Sequence, residues 1–180
     1  FTGMMVQFCT LWRGQEKMKM STRAGQFVTT REVFEEVGVD ATRYFFTALK
    51  TDSPLDFDFE KAKKQSMDNP VYYVQYMCAR LSGVLETAAK EERFAKGFSG
   101  GLYLPDGVDL SRLGAEEEPI LRQLLQLPVV IEKAAENLEP HRLCGCLYEL
   151  AGLFHNYYAK NRFVSEDTEL SKARLYLAAA

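Results

Sequence analysis

The chain has 180 residues, of which 47% are hydrophobic and 26% are charged, and its formal net charge is −3. This composition is typical of a globular protein, and no segment approaches the roughly 18 consecutive apolar residues that a membrane-spanning helix needs. The small negative charge argues against a protein that binds nucleic acid through bulk electrostatic attraction alone. Because the sequence starts at Phe1 and its last residues continue a helical pattern, we expect it to be a piece of a longer protein.

The beginning of the chain predicts a short buried element and a loop. Residues 4–12 are too apolar for a surface loop, so they predict a buried helix or strand that packs against a part of the protein missing from this sequence. A polar loop follows through Gly25. Thr29 and Glu32 have the spacing of a capping box, which predicts that a helix starts there. Gly38 is predicted to end this helix.

The next segment predicts a second helix and a strand. Asp40 is predicted to cap the helix, and residues 55–59 alternate between apolar and acidic, as expected for a half-buried strand. Asp56 and Asp58 have two readings, a metal-binding pair or the solvated face of that strand. We favour the solvated face, because no third carboxylate or histidine accompanies them.

Helical signals dominate from Asn69 onward. Asn69 followed by Pro70 is a strong helix start, and the glycine-rich residues 91–114 predict an exposed excursion between helices. Four further helices are predicted, at residues 115–126, 128–137, 140–161 and 166–180. The predicted fold is therefore mainly α. Residues 1–68 are expected to be the end of an α/β domain with connecting helices, and residues 69–180 a helical bundle.

The four cysteines, Cys9, Cys78, Cys144 and Cys146, lack the spacing of a disulfide framework and predict reduced thiols. Cys144 and Cys146 have two readings, zinc ligands or buried thiols. Zinc sites usually place two to four residues between paired cysteines and need two more ligands. We therefore predict that the protein has no metal site of its own.

A short cationic loop suggests phosphate chemistry. Its residues are Lys19, Met20, Ser21, Thr22 and Arg23. An ammonium group and hydroxyl groups in a loop with a nearby glycine can close over a polyphosphate. Taken alone the signal is weak, because basic glycine-containing loops are common.

These residues resemble the K-M-S-K-S loop of class I aminoacyl-tRNA synthetases, and residues 23–29 resemble the arginine enzymes in particular. Residues 36–46 are similar to the D-A-L-R motif of their anticodon-binding domain. Further ordered matches occur at residues 55–58, 69–76, 139–143 and 148–151. Only the excursion at 91–114 falls outside the resemblance.

The resemblance implies an enzyme that joins arginine to tRNA(Arg) using ATP with Mg²⁺. It implies catalytic roles for Lys19 and Ser21 and ATP binding by the whole loop. Thr22 stands where the motif has its second lysine, and Arg23 replaces the final serine. The companion H-I-G-H motif does not occur in this sequence, so we expect the chain to be inactive by itself.

The helix that starts at Pro70 is predicted to have two different faces. One face is predicted to be apolar: Val71, Val74, Cys78, Leu81 and Leu85. The opposite face contains Tyr72, Tyr73, Tyr76 and Arg80. These side chains suit either base stacking and phosphate contact with an RNA loop or packing between neighbouring helices.

The resemblance favours RNA. It implies that tRNA contacts are made by Tyr72, Gln75, Tyr76, Arg80 and Tyr176. It also implies a cytoplasmic monomer with tRNA(Arg), ATP and arginine as partners and no membrane. Two alternatives remain open: the related cysteine enzyme, and a stand-alone RNA-binding or interaction module derived from a class I synthetase.

Overall fold

The computed structural model describes residues 3–21, 25 and 27–180. Within this part of the chain, eight helices and five short strands are formed, and the prediction of a mainly α fold is confirmed. The chain separates into two compact units. The first comprises Phe1–Tyr73 and Pro128–Tyr148, and the second comprises Val74–Leu127 and Glu149–Ala180. The predicted domain boundary after residue 68 stays a prediction.

The helices and strands follow one another along the chain as β1 (Cys9–Arg13), β2 (Glu16–Lys17), α1 (Thr30–Val37), α2 (Val39–Thr47), β3 (Leu55–Asp58), α3 (Phe59–Lys63), α4 (Pro70–Ala89), α5 (Glu92–Ala95), β4 (Phe98–Ser99), β5 (Leu102–Tyr103), α6 (Glu118–Asn137), α7 (His141–Lys160) and α8 (Thr168–Ala179). A short 3-10 turn, Leu110–Arg112, precedes α6. Helices α4, α6 and α7 contribute residues to both units.

The first unit contains a three-stranded sheet in the order β2-β1-β3. Strand β1 pairs antiparallel with β2 and parallel with β3, which confirms the predicted strand at Leu55–Asp58. The core of this unit consists of buried side chains from the sheet and from α1 and α3: Leu11, Val33, Phe57, Phe59 and Ala62.

The prediction that residues 4–12 form a buried element is only partly right. Residues 9–12 belong to β1, but residues 3–8 have no regular structure. The side chains of Met5 and Phe8 are 89% and 88% exposed. Apolar composition predicted burial, but no described element packs over this segment to provide it.

Helix α1 confirms the capping box. The backbone N–H of Glu32 donates to the Thr29 hydroxyl (3.2 Å), and the Thr29 N–H donates to the Glu32 carboxylate (2.6 Å). Gly38, at φ +91°, follows the last helical residue as predicted. The prediction for α2 was wrong, because Gly38 and not Asp40 is its N-cap residue. Asp40 lies in the first turn, where a carboxylate still interacts favourably with the helix dipole.

Replacing Thr29 by alanine should lower the free energy of unfolding of the first unit by about 1 kcal/mol, because an unpaired N–H then remains at the start of α1. Thr29→Ser should retain most of the stability, and Thr30→Ala, one residue into the helix, is the matched control. Urea unfolding followed by the fluorescence of Trp12, which lies in the same unit, measures the difference. Equal midpoints for Thr29→Ala and Thr30→Ala would show that the cap is not stabilising.

The second unit has a core formed by Ala88 of α4, Phe94 of α5, Tyr103 of β5 and Leu175 of α8. The predicted excursion at 91–114 is more ordered than expected. It contains α5, the antiparallel hairpin β4–β5 and the 3-10 turn. Gly97 lets the hairpin close, because a Cβ at this position would lie 2.5 Å from the Tyr103 ring.

Helix α6 is continuous from Glu118 to Asn137, although two helices interrupted at residue 127 were predicted. Pro128 removes one backbone hydrogen bond, but helix-forming residues on both sides continue the ladder. The start of α4 at Pro70 is confirmed, as is α7 to within one residue at each end. Helix α8 begins two residues later than predicted, after the N-cap residue Asp167.

Candidate functional site

The start of helix α4 is fixed by the buried side chain of Asn69. Its Oδ1 accepts from the N–H of Val71 (3.0 Å), and its Nδ2 donates to the carbonyls of Ala62 (3.1 Å) and Lys64 (2.8 Å). Every polar atom of this amide therefore has a backbone partner. The asparagine both caps α4 and anchors it to the end of α3, within the first unit.

The predicted apolar face of α4 is partly wrong. Val71 is buried, but Cys78 is exposed, and Met77 and Ala88 are the other fully buried positions. Val74, Leu81 and Leu85 are half-buried as predicted, but Tyr76, Arg80 and Val84 are half-buried too, so the described neighbours cover more of the helix than the predicted stripe.

Within the second unit, two predicted residues of α4 meet two residues of α7. The Arg80 guanidinium lies 4.3 Å from the ring centre of Tyr76 and 4.8 Å from that of Tyr158. Its Nη2 donates to the Tyr76 hydroxyl (3.0 Å). The ring of His155 stacks on Tyr76 at 5.7 Å. Contacts with two aromatic rings hold the guanidinium plane in a defined orientation.

Arg80 also lines a groove of about 510 Å³. Helix α4 contributes one side, and α7 with the segment after it contributes the other: Arg80, Gly83, Val84, Thr87, Tyr158, Asn161, Arg162, Phe163 and Val164. Across the described part of the chain, no carboxylate forms an ion pair with Arg80 or Arg162. Two uncompensated guanidinium groups, an amide and an aromatic ring offer contacts for an anion attached to a planar group.

The remaining residues predicted to contact RNA lie in different surroundings. Gln75 is exposed on α4. Tyr176 is half-buried against the core of the second unit, as are Val84 and Val164, which also line the groove. Tyr72 is half-buried in the first turn of α4 and belongs to the first unit. The structure therefore brings Tyr76 and Arg80 together within the second unit.

Of the phosphate loop, Lys19, Met20 and Ser21 are exposed. Thr22 and Arg23 lie outside the described residues. Met18, which directly precedes the loop, lines a groove of about 450 Å³. Glu32, Glu35 and Glu36 also line this groove, so it does not add to the positive charge of the loop.

The arginine in that groove, Arg13, is already paired. It forms a two-point contact with Glu36 at 2.5 and 2.8 Å, and Lys63 donates to the same carboxylate at 3.0 Å. Hydrogen bonds from Arg13 and then from Lys63 lower the pKa of Glu36 to about 2. This cluster ties β1, α1 and α3 together and leaves no spare cation for a phosphate.

Three residues of the site were missed from the sequence: His155, Asn161 and Arg162. Tyr158 was not among the residues predicted to contact RNA either; its neighbour Tyr157 is the more deeply buried of the two. Asn161 and Arg162 follow the end of α7 at Lys160, but a signal was available for His155, which lies three residues before Tyr158 on the helix. Such spacing places side chains on one helix face.

In the ranges 3–21, 25 and 27–180, no three side chains of His, Cys, Asp or Glu are grouped so that they could hold a metal ion. Cys144 and Cys146 are both buried, and Cys144 contacts the Thr47 hydroxyl at 3.4 Å. None of the described helices has the length and apolar character needed to cross a bilayer.

Comparisons with known proteins agree with this geometry. A curated relative from Geotalea daltonii named arginine–tRNA ligase is 48% identical over 174 residues, which are 95% of this chain and 29% of the relative. The chain thus spans less than a third of the length of that relative. A solved structure from Campylobacter jejuni, described as an arginyl-tRNA synthetase, is 30% identical with a TM-score of 0.77 and covers 97% of this chain and 36% of its own.

A second solved structure, the arginyl-tRNA synthetase of Thermus thermophilus, is similar in fold, with a TM-score of 0.71 at 22% identity over 96% of this chain and 31% of its own. The family described as the DALR anticodon binding domain matches residues 74–180. That range contains Gln75, Tyr76, Arg80, the groove and Tyr176. The chain therefore belongs to the DALR anticodon binding domain family.

Proposed function

We propose that this chain is part of an arginine–tRNA ligase, which attaches arginine to tRNA(Arg) at the expense of ATP, and that its own contribution is tRNA recognition. The observation that carries the proposal is the groove in which Arg80 and Arg162 lie beside Tyr158, neither of them paired with a carboxylate of the described residues. The family match over residues 74–180 and the likeness to arginine–tRNA ligases support this reading.

In this proposal the groove takes an unstacked nucleotide of the anticodon loop. Arg80 and Arg162 contact phosphate, and an aromatic ring of the cluster stacks on the base, a contact that contributes roughly 1–3 kcal/mol per base. Gln75, exposed on the same helix, hydrogen-bonds a base edge. Tyr76 orients Arg80 and takes part in stacking, and Tyr72 and Tyr176 make further RNA contacts.

The loop at residues 19–23 is proposed to act on ATP. Lys19 and Ser21 bind the phosphates while the arginine carboxylate attacks, and Met20, Thr22 and Arg23 complete the loop. The residues described here offer no carboxylate cluster for Mg²⁺, so no step is assigned to the ion. The parent enzyme is proposed to be a cytoplasmic monomer, and this chain to be inactive without the parts that its relatives have in addition.

Arg80→Ala should weaken binding of a tRNA(Arg) transcript by about 1–3 kcal/mol, which is roughly five- to 150-fold. The variant loses a phosphate contact and the cation that holds Tyr76 and Tyr158 in place. Fluorescence anisotropy with a labelled transcript measures the affinity at a fixed salt concentration.

Arg122→Ala is the matched control for this experiment. It removes the same charge, but Arg122 is 70% exposed on α6 and paired with Glu118, so we expect less than about a twofold change. Because a phosphate contact carries no sequence information, a transcript with a different anticodon should bind more weakly than tRNA(Arg) to the parent chain and to Arg80→Ala alike. Unchanged affinity in Arg80→Ala would exclude the groove as the RNA site.

A further inference from the structure

The excursion at residues 91–114 contacts the segment that forms one wall of the groove. The Arg93 Nη1 donates to the carbonyl of Ser165 (2.9 Å) and lies 3.4 Å from the Thr168 hydroxyl, while its Nε donates to Glu91 (2.7 Å). One guanidinium therefore joins the start of the excursion to the segment that follows α7. All of these residues belong to the second unit.

A second arginine at the other end of the excursion contacts the same segment. Arg112 pairs with the carboxylate of Asp167 at 2.5 Å. The other oxygen of Asp167 accepts from the N–H of Leu170 (3.0 Å) and caps α8. The excursion thus holds residues 165–168 through two arginines that are 19 positions apart in its own sequence.

Apolar packing reinforces these polar contacts. Tyr103, which pairs with Phe98 at the open end of the hairpin, is 1% exposed and packs with Phe94, Phe98 and Leu175. Val84 and Val164 pack against the same cluster and also line the groove. The cluster that contains Tyr103 of the hairpin therefore also packs against two residues of the groove wall.

Short-range hydrogen bonds keep the held segment compact. The N–H of Ser165 donates to the Ser171 hydroxyl (2.9 Å), which in turn donates to the carbonyl of Asp167 (2.8 Å). Because Arg162 and Val164 directly precede this tightly bonded stretch, a displacement of Ser165 shifts the groove wall as well.

We propose that the excursion at 91–114 is a brace for the RNA groove and that Arg93 and Arg112 are positioning residues for it. This inference rests on the proposed function of the groove. The two arginines do not line the groove themselves; they fix the backbone that presents Asn161 and Arg162. Since binding groups must be held close to their productive geometry, loosening the wall weakens recognition even when every contact residue is present.

Amide hydrogen exchange of the full chain tests the brace without RNA. In Arg93→Ala, peptides that cover residues 161–168 should exchange at least about threefold faster than in the parent, whereas peptides from α6 should not change. Arg93→Lys should give an intermediate rate, because one donor is retained. Should Arg93→Ala unfold, Arg112→Gln provides the same comparison with a smaller perturbation. Parent-like exchange at 161–168 in these variants would overturn the proposal.

Binding of a tRNA(Arg) transcript tests the consequence. Arg93→Ala should bind about three- to tenfold more weakly than the parent. The loss is modest because the residues that contact RNA are all still present and are only displaced. Lys96→Ala removes the same charge from the exposed surface of the same excursion and should remain within about twofold. Equal losses in Arg93→Ala and Lys96→Ala would indicate a charge effect and refute bracing. If the parent itself fails to bind the transcript, the proposed function is wrong. The hydrogen-exchange rates at residues 161–168 then test by themselves whether the excursion holds the groove wall in place.

Discussion

Replacing Glu117 by alanine is expected to lower the free energy of unfolding of the second unit by about 3–5 kcal/mol, the usual cost of leaving a buried charge without its partner. Glu117 is 2% exposed. Its Oε1 accepts from the Tyr157 hydroxyl (2.6 Å) and from Arg174 (2.9 Å), and its Oε2 accepts from the N–H of Gly114 (2.9 Å). Removing this carboxylate leaves Arg174, whose side chain is only 12% exposed, without a counter-charge.

The same cluster predicts a dependence of stability on pH. Burial alone raises the pKa of Glu117, but hydrogen bonds from Tyr157, Gly114 and Arg174 outweigh it, so the pKa lies below its ordinary value. The folded state therefore binds fewer protons than the unfolded state near pH 4. The stabilisation is complete above the pKa of an unfolded glutamate, about 4.3, and is lost as the pH falls through the folded-state value.

Urea unfolding at several pH values measures both effects. Circular dichroism is the appropriate signal, because the single tryptophan, Trp12, lies in the other unit. Glu118→Ala, at the neighbouring exposed position, should cost no more than about 1 kcal/mol. Glu117→Gln keeps the shape of the side chain and should flatten the difference in stability between pH 7 and pH 3. An alanine variant as stable as Glu118→Ala would show that the cluster does not hold the unit together.

Features with a local cause could be predicted from the sequence. The capping box at Thr29 and the Asn69–Pro70 start each depend on side chains that satisfy backbone groups within three residues. The strand at Leu55–Asp58 follows from its alternation, although its parallel pairing with β1 does not. The fold class and the family followed from the order of the motifs along the whole chain.

Features that depend on distant neighbours were not predictable. Cys78 and Met77 are adjacent on α4, and only the elements that pack against the helix decide which of them is buried. The continuity of α6 through Pro128 is a balance between one lost hydrogen bond and the packing of both halves.

Some residues of the candidate site could likewise be predicted from the sequence, and others could not. Helical spacing placed Tyr76 and Arg80 on one face of α4 and gives their hydrogen bond, whereas it was the family resemblance that favoured them as RNA contacts. His155, Arg162 and the bracing Arg93 are far away in sequence, and their places depend on how α7 and the excursion pack. Nothing in the glycine-rich residues 91–114, which lie outside the resemblance, indicated a role in the site.

The largest expected effect on catalysis concerns Lys19. In a chimera where this chain replaces the matching 174-residue segment of the Geotalea daltonii relative, Lys19→Ala should slow ATP–pyrophosphate exchange by about 10²–10³-fold. The proposed reason is that the ammonium group stabilises the negative charge that develops on the departing pyrophosphate. Exchange is measured with arginine, ATP and tRNA(Arg) all present.

Lys17→Ala is the matched control, because Lys17 is an exposed lysine two residues earlier, on β2. It should exchange within about twofold of the parent chimera, since an exposed cation outside the proposed phosphate contact contributes little. The affinity of Lys19→Ala for tRNA(Arg) should also be unchanged, because Arg80, Arg162 and the groove belong to the second unit and Lys19 to the first. Exchange at the parent rate would refute the ATP role of the loop and leave the RNA groove unaffected. A parallel loss of exchange and tRNA affinity would instead show that Lys19→Ala damages the folded chain, and the assignment of Lys19 to the phosphates would then be wrong.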